Sequence, residues 1–225
     1  MAANLVAPPA GSLAAALRLM LVTDDRLVAG RDLVELCVAA AHGGVTSVQL
    51  RLKLATAREQ VALARALGAR LAPLDVPLLV NDRPDVALAA EAWGVHLGPD
   101  DLPLPPAREV ARRAGAEGFV IGASVGSEPE AAQNAGADYW GIGPWHATTT
   151  KDDAGAALGA EGFAHLARLG AGRPCIAIGG IRPEDAPAVL AAGGVGVAVV
   201  SGIVAAPDPA AAARRYRERL ERGEG

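Results

Sequence analysis

The chain is 225 residues long, 51% of them hydrophobic and 20% charged, with a net charge of −4. That length carries one large domain or two small ones, and so many apolar residues among so few charged ones exclude an intrinsically disordered chain. No apolar run reaches the roughly 18 residues of a membrane-spanning helix, and a mild acidic balance without a basic block excludes nucleic-acid binding driven by charge alone.

Taken in chain order, residues 1–17 read as a tail plus one extra helical turn, with Pro8 and Pro9 inside it and no basic residue ahead of the apolar stretch that would mark a secretory signal. Strands are predicted at Leu19–Val22, Ser47–Leu50, Leu78–Val80, Gly94–Leu97, Phe119–Gly122, Tyr139–Ile142, Cys175–Ile178 and Gly196–Val200. Helical stretches near 31–42, 56–72, 84–91, 106–114, 128–135, 160–169, 183–191 and 209–221 separate them. Pro84, Pro129 and Pro183 open helices, where a missing N–H does no harm, and Pro209 follows Asp208 at the start of the last, which becomes Arg-rich toward its end. Eight strand–helix alternations imply a parallel sheet, and the expected fold is an α/β TIM (β/α)8 barrel, a single domain over residues 18–225. A doubly wound open sheet is the alternative; it needs fewer strands and a glycine-rich first turn, where this chain has Thr23-Asp24-Asp25. Cys37 and Cys175 lie too far apart in sequence to form a framework and read as reduced packing residues of a cytoplasmic protein.

Polar and glycine clusters follow the predicted strands: Thr23-Asp24, Gln49 to Lys53, Asn81-Asp82, His96 to Asp101, Ser124, Gly143 to Lys151, Gly179-Gly180 and Ser201-Gly202. In a barrel these positions gather on the C-terminal rim, where active sites lie. Strand ends need turn residues in any case; that accounts for Gly and Asp but not for Gln-x-Arg-x-Lys or Thr-Thr-Thr-Lys. Asp82 and Asp101 end neighbouring strands, and two carboxylates suit Mg²⁺, which leaves its other positions to water and phosphate oxygens. Each could instead cap a helix. Among 21 basic side chains only Lys53 and Lys151 are lysine, and both fall in these clusters beside Arg51. Ammonium and guanidinium are not interchangeable, so a lysine kept in an arginine-biased chain marks a place needing a compact cation. Ile178-Gly179-Gly180-Ile181 and Val200-Ser201-Gly202 offer backbone amides of the kind that hold phosphate in barrels. Gly143 to Gly155 reads as a long polar lid-like loop. The residues alone therefore describe two anionic subsites on one rim, one metal-assisted and one made of amides: an enzyme for two phosphorylated small molecules.

Leu21-Val22-Thr23-Asp24, Gly43 to Arg51, Val80-Asn81-Asp82-Arg83, Gly94-Val95-His96-Leu97-Gly98, Gly136-Ala137-Asp138-Tyr139 and Ile178-Gly179-Gly180-Ile181 together resemble the thiamine-phosphate synthase family, in order from about residue 19 to 215. The resemblance implies a TIM barrel that joins hydroxymethylpyrimidine diphosphate to a thiazole monophosphate and releases pyrophosphate. It implies that Gln49, Leu50, Arg51, Leu52, Lys53, Asn81, Ser124 and Lys151 bind the pyrimidine diphosphate, with Arg51, Lys53, Ser124 and Lys151 serving catalysis. It further implies Asp82 and Asp101 as Mg²⁺ ligands, and Thr148, Thr149, Thr150, Gly180, Val200 and Ser201 around the thiazole phosphate. Four departures touch loop geometry: Leu52 replaces the usual Glu and is expected to point into the barrel wall, Pro99-Asp100 precede Asp101, Ala147 replaces Pro, and Gly193-Gly194-Val195-Gly196 replaces Gly-Ala-Asp-Gly. Two other readings are weighed. A thiazole tautomerase of the same superfamily carries His two residues after the Ser of strand five, where this chain has Gly126; a non-catalytic thiamine phosphate sensor would have no use for Asp82, Asp101 and Lys151. His96 is expected to be structural, bonded to backbone; Tyr139 to be barrel wall; and Trp145 either to cover an aromatic substrate or to pack in the core. Oligomeric state is left open.

Overall fold

A computed structural model describes residues 12–28, 30–147 and 155–222. Eight parallel strands close on themselves in sequence order: β1 (Leu19–Val22), β2 (Ser47–Leu50), β3 (Leu78–Asn81), β4 (Gly94–Leu97), β5 (Val120–Val125), β6 (Tyr139–Ile142), β7 (Cys175–Ala177) and β8 (Gly196–Val199). The seam is β8 on β1, with Met20 opposite Ala198. Helix α1 (Leu13–Ala16) lies across the lower end, and the others surround the strands: α2 (Asp25–Val28), α3 (Leu33–His42), α4 (Ala57–Leu71), α5 (Pro84–Ala89), α6 (Leu104–Arg113), α7 (Glu128–Gln133), α8 (Gly159–Leu169), α9 (Ala186–Ala191), α10 (Ser201–Val204) and α11 (Pro209–Arg222). The expected (β/α)8 barrel is the observed one.

Local chemistry sets the element ends. Thr56 and Glu59 cap α4 reciprocally, Asp32 accepts the amides of Val34 and Glu35 at the start of α3, and Ser127 accepts that of Glu130 in α7. The stretch predicted as one helix over 183–191 is a 3₁₀ turn, Pro183–Asp185, followed by α9. Pro187 has no N–H to give the Pro183 carbonyl, so the α-ladder cannot run through. Strand β5 extends past its predicted end because Ala123, Ser124 and Val125 keep pairing with Trp140, Gly141 and Ile142. Two one-turn helices, α2 and α10, stand where sequence indicated only polar turns.

Alternation along the strands divides the core in two. Met20, Val22, Leu79, Tyr139, Ile176 and Ala198 point into the barrel, and Ala16 and Leu17 close its lower end from α1. Leu19, Leu21, Val48, Leu50, Val80 and Ile142 point outward into a larger core shared with the helices. Trp145 belongs to that outer core: it is 4% exposed and meets Phe163 edge-on at 5.7 Å. It therefore packs rather than covers the mouth. Strand contact also depends on small residues at close approaches. A Cβ on Gly94 would lie 2.1 Å from the Val120 carbonyl oxygen, on the β5 residue it pairs with. Gly94→Ala is expected to destabilise the barrel by about 2–4 kcal/mol, because only a backbone shift relieves such an overlap. Urea unfolding checks this, and a loss below about 0.5 kcal/mol would contradict it.

Candidate active site

Every residue that passes the last rung of a strand and lies on the inward face emerges at one mouth. On β2 this selects Gln49, buried among interior residues with its Nε2 3.5 Å from Met20 Sδ, and Arg51 just beyond. Leu50 has the opposite parity. Its side chain turns into the helix-facing core at 2% exposure, so any part it takes at the mouth is through its backbone. Leu52 flanks that same core, as expected of a wall residue, and its carbonyl accepts from Gln60 Nε2 at 2.8 Å.

The first cluster lines a cavity of about 480 Å³ holding Asp24, Arg51, Lys53, Asn81, Asp82, Asp101 and Ser124. Arg51 is fixed from two sides: its amide donates to Thr23 Oγ1 at 2.8 Å, and its guanidinium donates to Asp24 Oδ2 at 2.7 Å. Its Nε is buried and finds no acceptor among the described residues, which leaves one donor direction of a positive group unsatisfied. Lys53 Nζ pairs with Asp82. Asp82 holds a left-handed backbone, φ 66°, that few non-glycine residues adopt, and its amide donates to the His96 carbonyl at 2.8 Å. Asp101 reaches back across its own turn to accept the Gly98 amide at 2.6 Å.

Burial and the adjoining Asp82 carboxyl, which shares a hydrogen bond with it, push the Asp101 pKa up to about 6. Two carboxylates held this close in a cleft, one of them disfavoured as an anion, form a hard-oxygen donor set that a divalent cation relieves, so the residues present fit Mg²⁺. Among the described residues no group of three or more His, Cys, Asp or Glu is arranged to hold a metal ion, so this site offers a pair of carboxylates and no larger protein cage.

The second cluster lines a larger cavity of about 670 Å³, bounded by Gln49, His96, Ser124, Gly180, Val200 and Ser201. Arg51, Asn81, Pro99 and Ser124 line both cavities, so the two spaces share one wall. Gly179 and Gly180 both have positive φ, 95° and 68°, and a Cβ on Gly179 would lie 2.7 Å from Pro144. Glycine is thus required where the β7 turn passes under the β6 loop, and this packing presents backbone at the cavity edge. His146 joins those loops as well, its Nε2 3.0 Å from Asp185 Oδ2.

Of the residues singled out from sequence, Gln49, Arg51, Lys53, Asn81, Asp82, Asp101, Ser124, Gly180, Val200 and Ser201 meet at this mouth. Thr148, Thr149, Thr150 and Lys151 lie outside the described residues. His96 departs from expectation: its ring bonds to side chains, Nδ1 to the Tyr139 hydroxyl at 2.9 Å and Nε2 to Ser124 Oγ at 3.0 Å, rather than to backbone. Sequence reasoning also gave Thr23 and Asp24 no task. Their position just past β1 was the available signal, but their partner, Arg51, lies 27 or 28 residues further along the chain.

The class this architecture defines is a (β/α)8-barrel enzyme with a charged active-site mouth at the carboxyl ends of its strands. A family model described as thiamine monophosphate synthase matches residues 19–203. The chain is 50% identical to the thiamine-phosphate synthase of Azorhizobium caulinodans, covering 91% of this chain and 95% of that one. It is 44% identical to that of Moorella thermoacetica, with 92% and 97% covered. A solved structure of the thiamine phosphate pyrophosphorylase of Pyrococcus furiosus superposes with a TM-score of 0.85 at 36% identity, covering 95% of this chain and all of that one. The chain belongs to the thiamine monophosphate synthase family.

The raised Asp101 pKa has a consequence for stability. Unfolded, the group titrates near its ordinary 3.8; folded, near 6. The folded state therefore holds extra proton between those values, so this group's contribution to stability falls as pH rises through that window and stays unfavourable above it. Without Mg²⁺, Asp101→Asn is expected to raise the Tm at about pH 7.5 and to lose that advantage below about pH 4. The same variant is expected to bind Mg²⁺ more weakly. An unchanged or lowered Tm at the higher pH would contradict the assignment.

Proposed function

We propose that this chain condenses 4-amino-2-methyl-5-(diphosphooxymethyl)pyrimidine with a thiazole monophosphate, giving thiamine phosphate and pyrophosphate. The observation that carries this reading is the pair of cavities with a common wall, one cationic and carboxylate-bearing, the other edged by glycine backbone. Two phosphorylated substrates that must meet need this arrangement.

The chemistry asks little of the protein in the way of nucleophiles. Loss of pyrophosphate from the electron-rich aminopyrimidine leaves a methylene cation, and the neutral thiazole nitrogen attacks it. The carbon–oxygen bond breaks with its electron pair going to pyrophosphate, and the new carbon–nitrogen bond takes its pair from the ring nitrogen. Arg51 and Lys53 stabilise the departing anion, and Asp24 holds the Arg51 guanidinium in place beside both cavities. Asp82 and Asp101 would hold Mg²⁺, which when bound supplies further positive charge to the diphosphate oxygens. Gln49, Asn81 and Ser124 orient the pyrimidine at the common wall, while Gly180, Val200 and Ser201, with Thr148, Thr149 and Thr150, seat the thiazole phosphate. Lys151 completes the cationic set around the leaving group. No helix among the described residues is long and apolar enough to cross a membrane.

Pyrophosphate release measured with both substrates, with and without Mg²⁺, tests the reading: release that needs all three components is expected. Tight binding of thiamine phosphate without turnover would indicate a sensor instead. Loss of one charge stabiliser typically removes on the order of 3 kcal/mol of transition-state stabilisation. Lys151→Ala is therefore expected to lower kcat at least about tenfold with an unchanged Tm, and turnover at the wild-type rate would remove Lys151 from the mechanism.

A further inference from the structure

A file of three hydrogen-bonded side chains runs from the barrel interior to the mouth. Tyr139 lies deepest, fully buried and paired with Gly122; His96 stands beside it on β4; Ser124, one residue pair nearer the mouth on β5, lines both cavities. The Tyr139 hydroxyl is 2.9 Å from His96 Nδ1, and Ser124 Oγ is 3.0 Å from His96 Nε2. Two glycines make room for the rings. A Cβ on Gly122 would sit 2.1 Å from Tyr139 Cζ, and one on Gly141 would sit 3.1 Å from His96 Cε1.

The file has a direction, which follows from counting donors. Among the described residues the Tyr139 hydroxyl bonds to His96 alone. If Nδ1 carried the imidazole proton, the phenol oxygen would accept it, and the phenol's own proton would be buried without an acceptor. A stranded buried donor is the costliest outcome open to the group. Burial also pushes the Tyr139 pKa far above its ordinary value, so the phenol keeps its proton. Tyr139 therefore donates to Nδ1, Nε2 carries the imidazole proton and donates to Ser124 Oγ, and the Ser124 proton is turned outward. With the opposite tautomer Ser124 would donate inward to Nε2 and meet a ligand only as an acceptor.

We infer that Tyr139 and His96 are positioning residues that fix the Ser124 hydroxyl as a hydrogen-bond donor toward an acceptor atom of the pyrimidine diphosphate. The ligand's identity rests on the function proposed above; the direction of the file does not. It is neither acid–base catalysis by His96 nor a backbone-anchored structural histidine. The imidazole acts through Ser124 and selects substrates that present a lone pair there.

The test joins a spectroscopic and a kinetic measurement. In ¹⁵N-histidine-labelled protein, two-bond ¹H–¹⁵N correlation separates the two tautomers, and replacing His42, His146 and His165 one at a time leaves the His96 signal assigned. The wild-type protein is expected to show the Nε2–H form. Tyr139→Phe keeps the ring and removes the donor; it is expected to change the His96 tautomer signature and to lower kcat/KM for the pyrimidine diphosphate about fivefold to tenfold. In a Ser124→Ala background the same change is expected to lower it less than about twofold further, because the group the file serves is gone. An Nδ1–H tautomer in the wild type overturns the inference whether or not Tyr139→Phe folds. So does unaltered kcat/KM in Tyr139→Phe, or a Tyr139→Phe loss undiminished by removal of Ser124. Absence of pyrophosphate release from the wild type would instead overturn the proposed reaction and leave the tautomer measurement to judge the file by itself.

Discussion

The alternation of side chains along eight short, closed, parallel strands is the constraint from which the rest follows. Each strand contributes three to six residues, and every second one must enter a barrel wide enough only for side chains to fill it. The inward set is consequently mostly apolar, with Met20, Leu79 and Ile176, and becomes richer in polar side chains toward the mouth. Polar groups are admitted there because they bond to one another or face the open cavities. Placing Gln49 and Arg51 at the mouth while Val48 and Leu50 enter the helix layer needs no separate explanation, since parity alone decides it.

Charge at the mouth is organised by the same closure. Asp24 comes from the end of β1, Arg51 and Lys53 from β2, Asp82 from β3 and Asp101 from the turn after β4, so the two cations stand between one carboxylate on the β1 side and two on the β3–β4 side. The Arg51–Asp24 pair is mostly buried and holds a guanidinium still, whereas Lys53, about half exposed, makes its pair with Asp82 in a screened setting. Screening makes that second contact a weak source of stability and an easily exchanged one.

The polar file from Tyr139 through His96 to Ser124 brings a connected set of hydrogen-bonding side chains into the barrel interior. Its presence explains why glycine occupies 122 and 141 on adjacent strands: the Tyr139 ring leaves no space for a side chain at 122, and the His96 ring leaves little at 141. A core position given to a hydrogen-bonded file sacrifices apolar burial, and such exchanges are found where a site needs a group held in one orientation.

Periodicity, proline placement and the polar residues after each strand determined the fold class, the order of the eight strands and most of the mouth, because strand period, proline stereochemistry and barrel closure are local or topological rules. Ordered short motifs from residue 19 onward determined the family, since Val-Asn-Asp-Arg or Ile-Gly-Gly-Ile means little alone but much in sequence. Tertiary structure decided what depends on distance between remote segments. It assigned Asp24 to Arg51, raised the Asp101 carboxyl beside Asp82, turned Leu50 away from the mouth, put Trp145 in the outer core and gave His96 side-chain partners in place of backbone. None of these could be read along the chain, because each is fixed by a neighbour that only the closed ring of strands and its helix layer brings within hydrogen-bonding or packing distance.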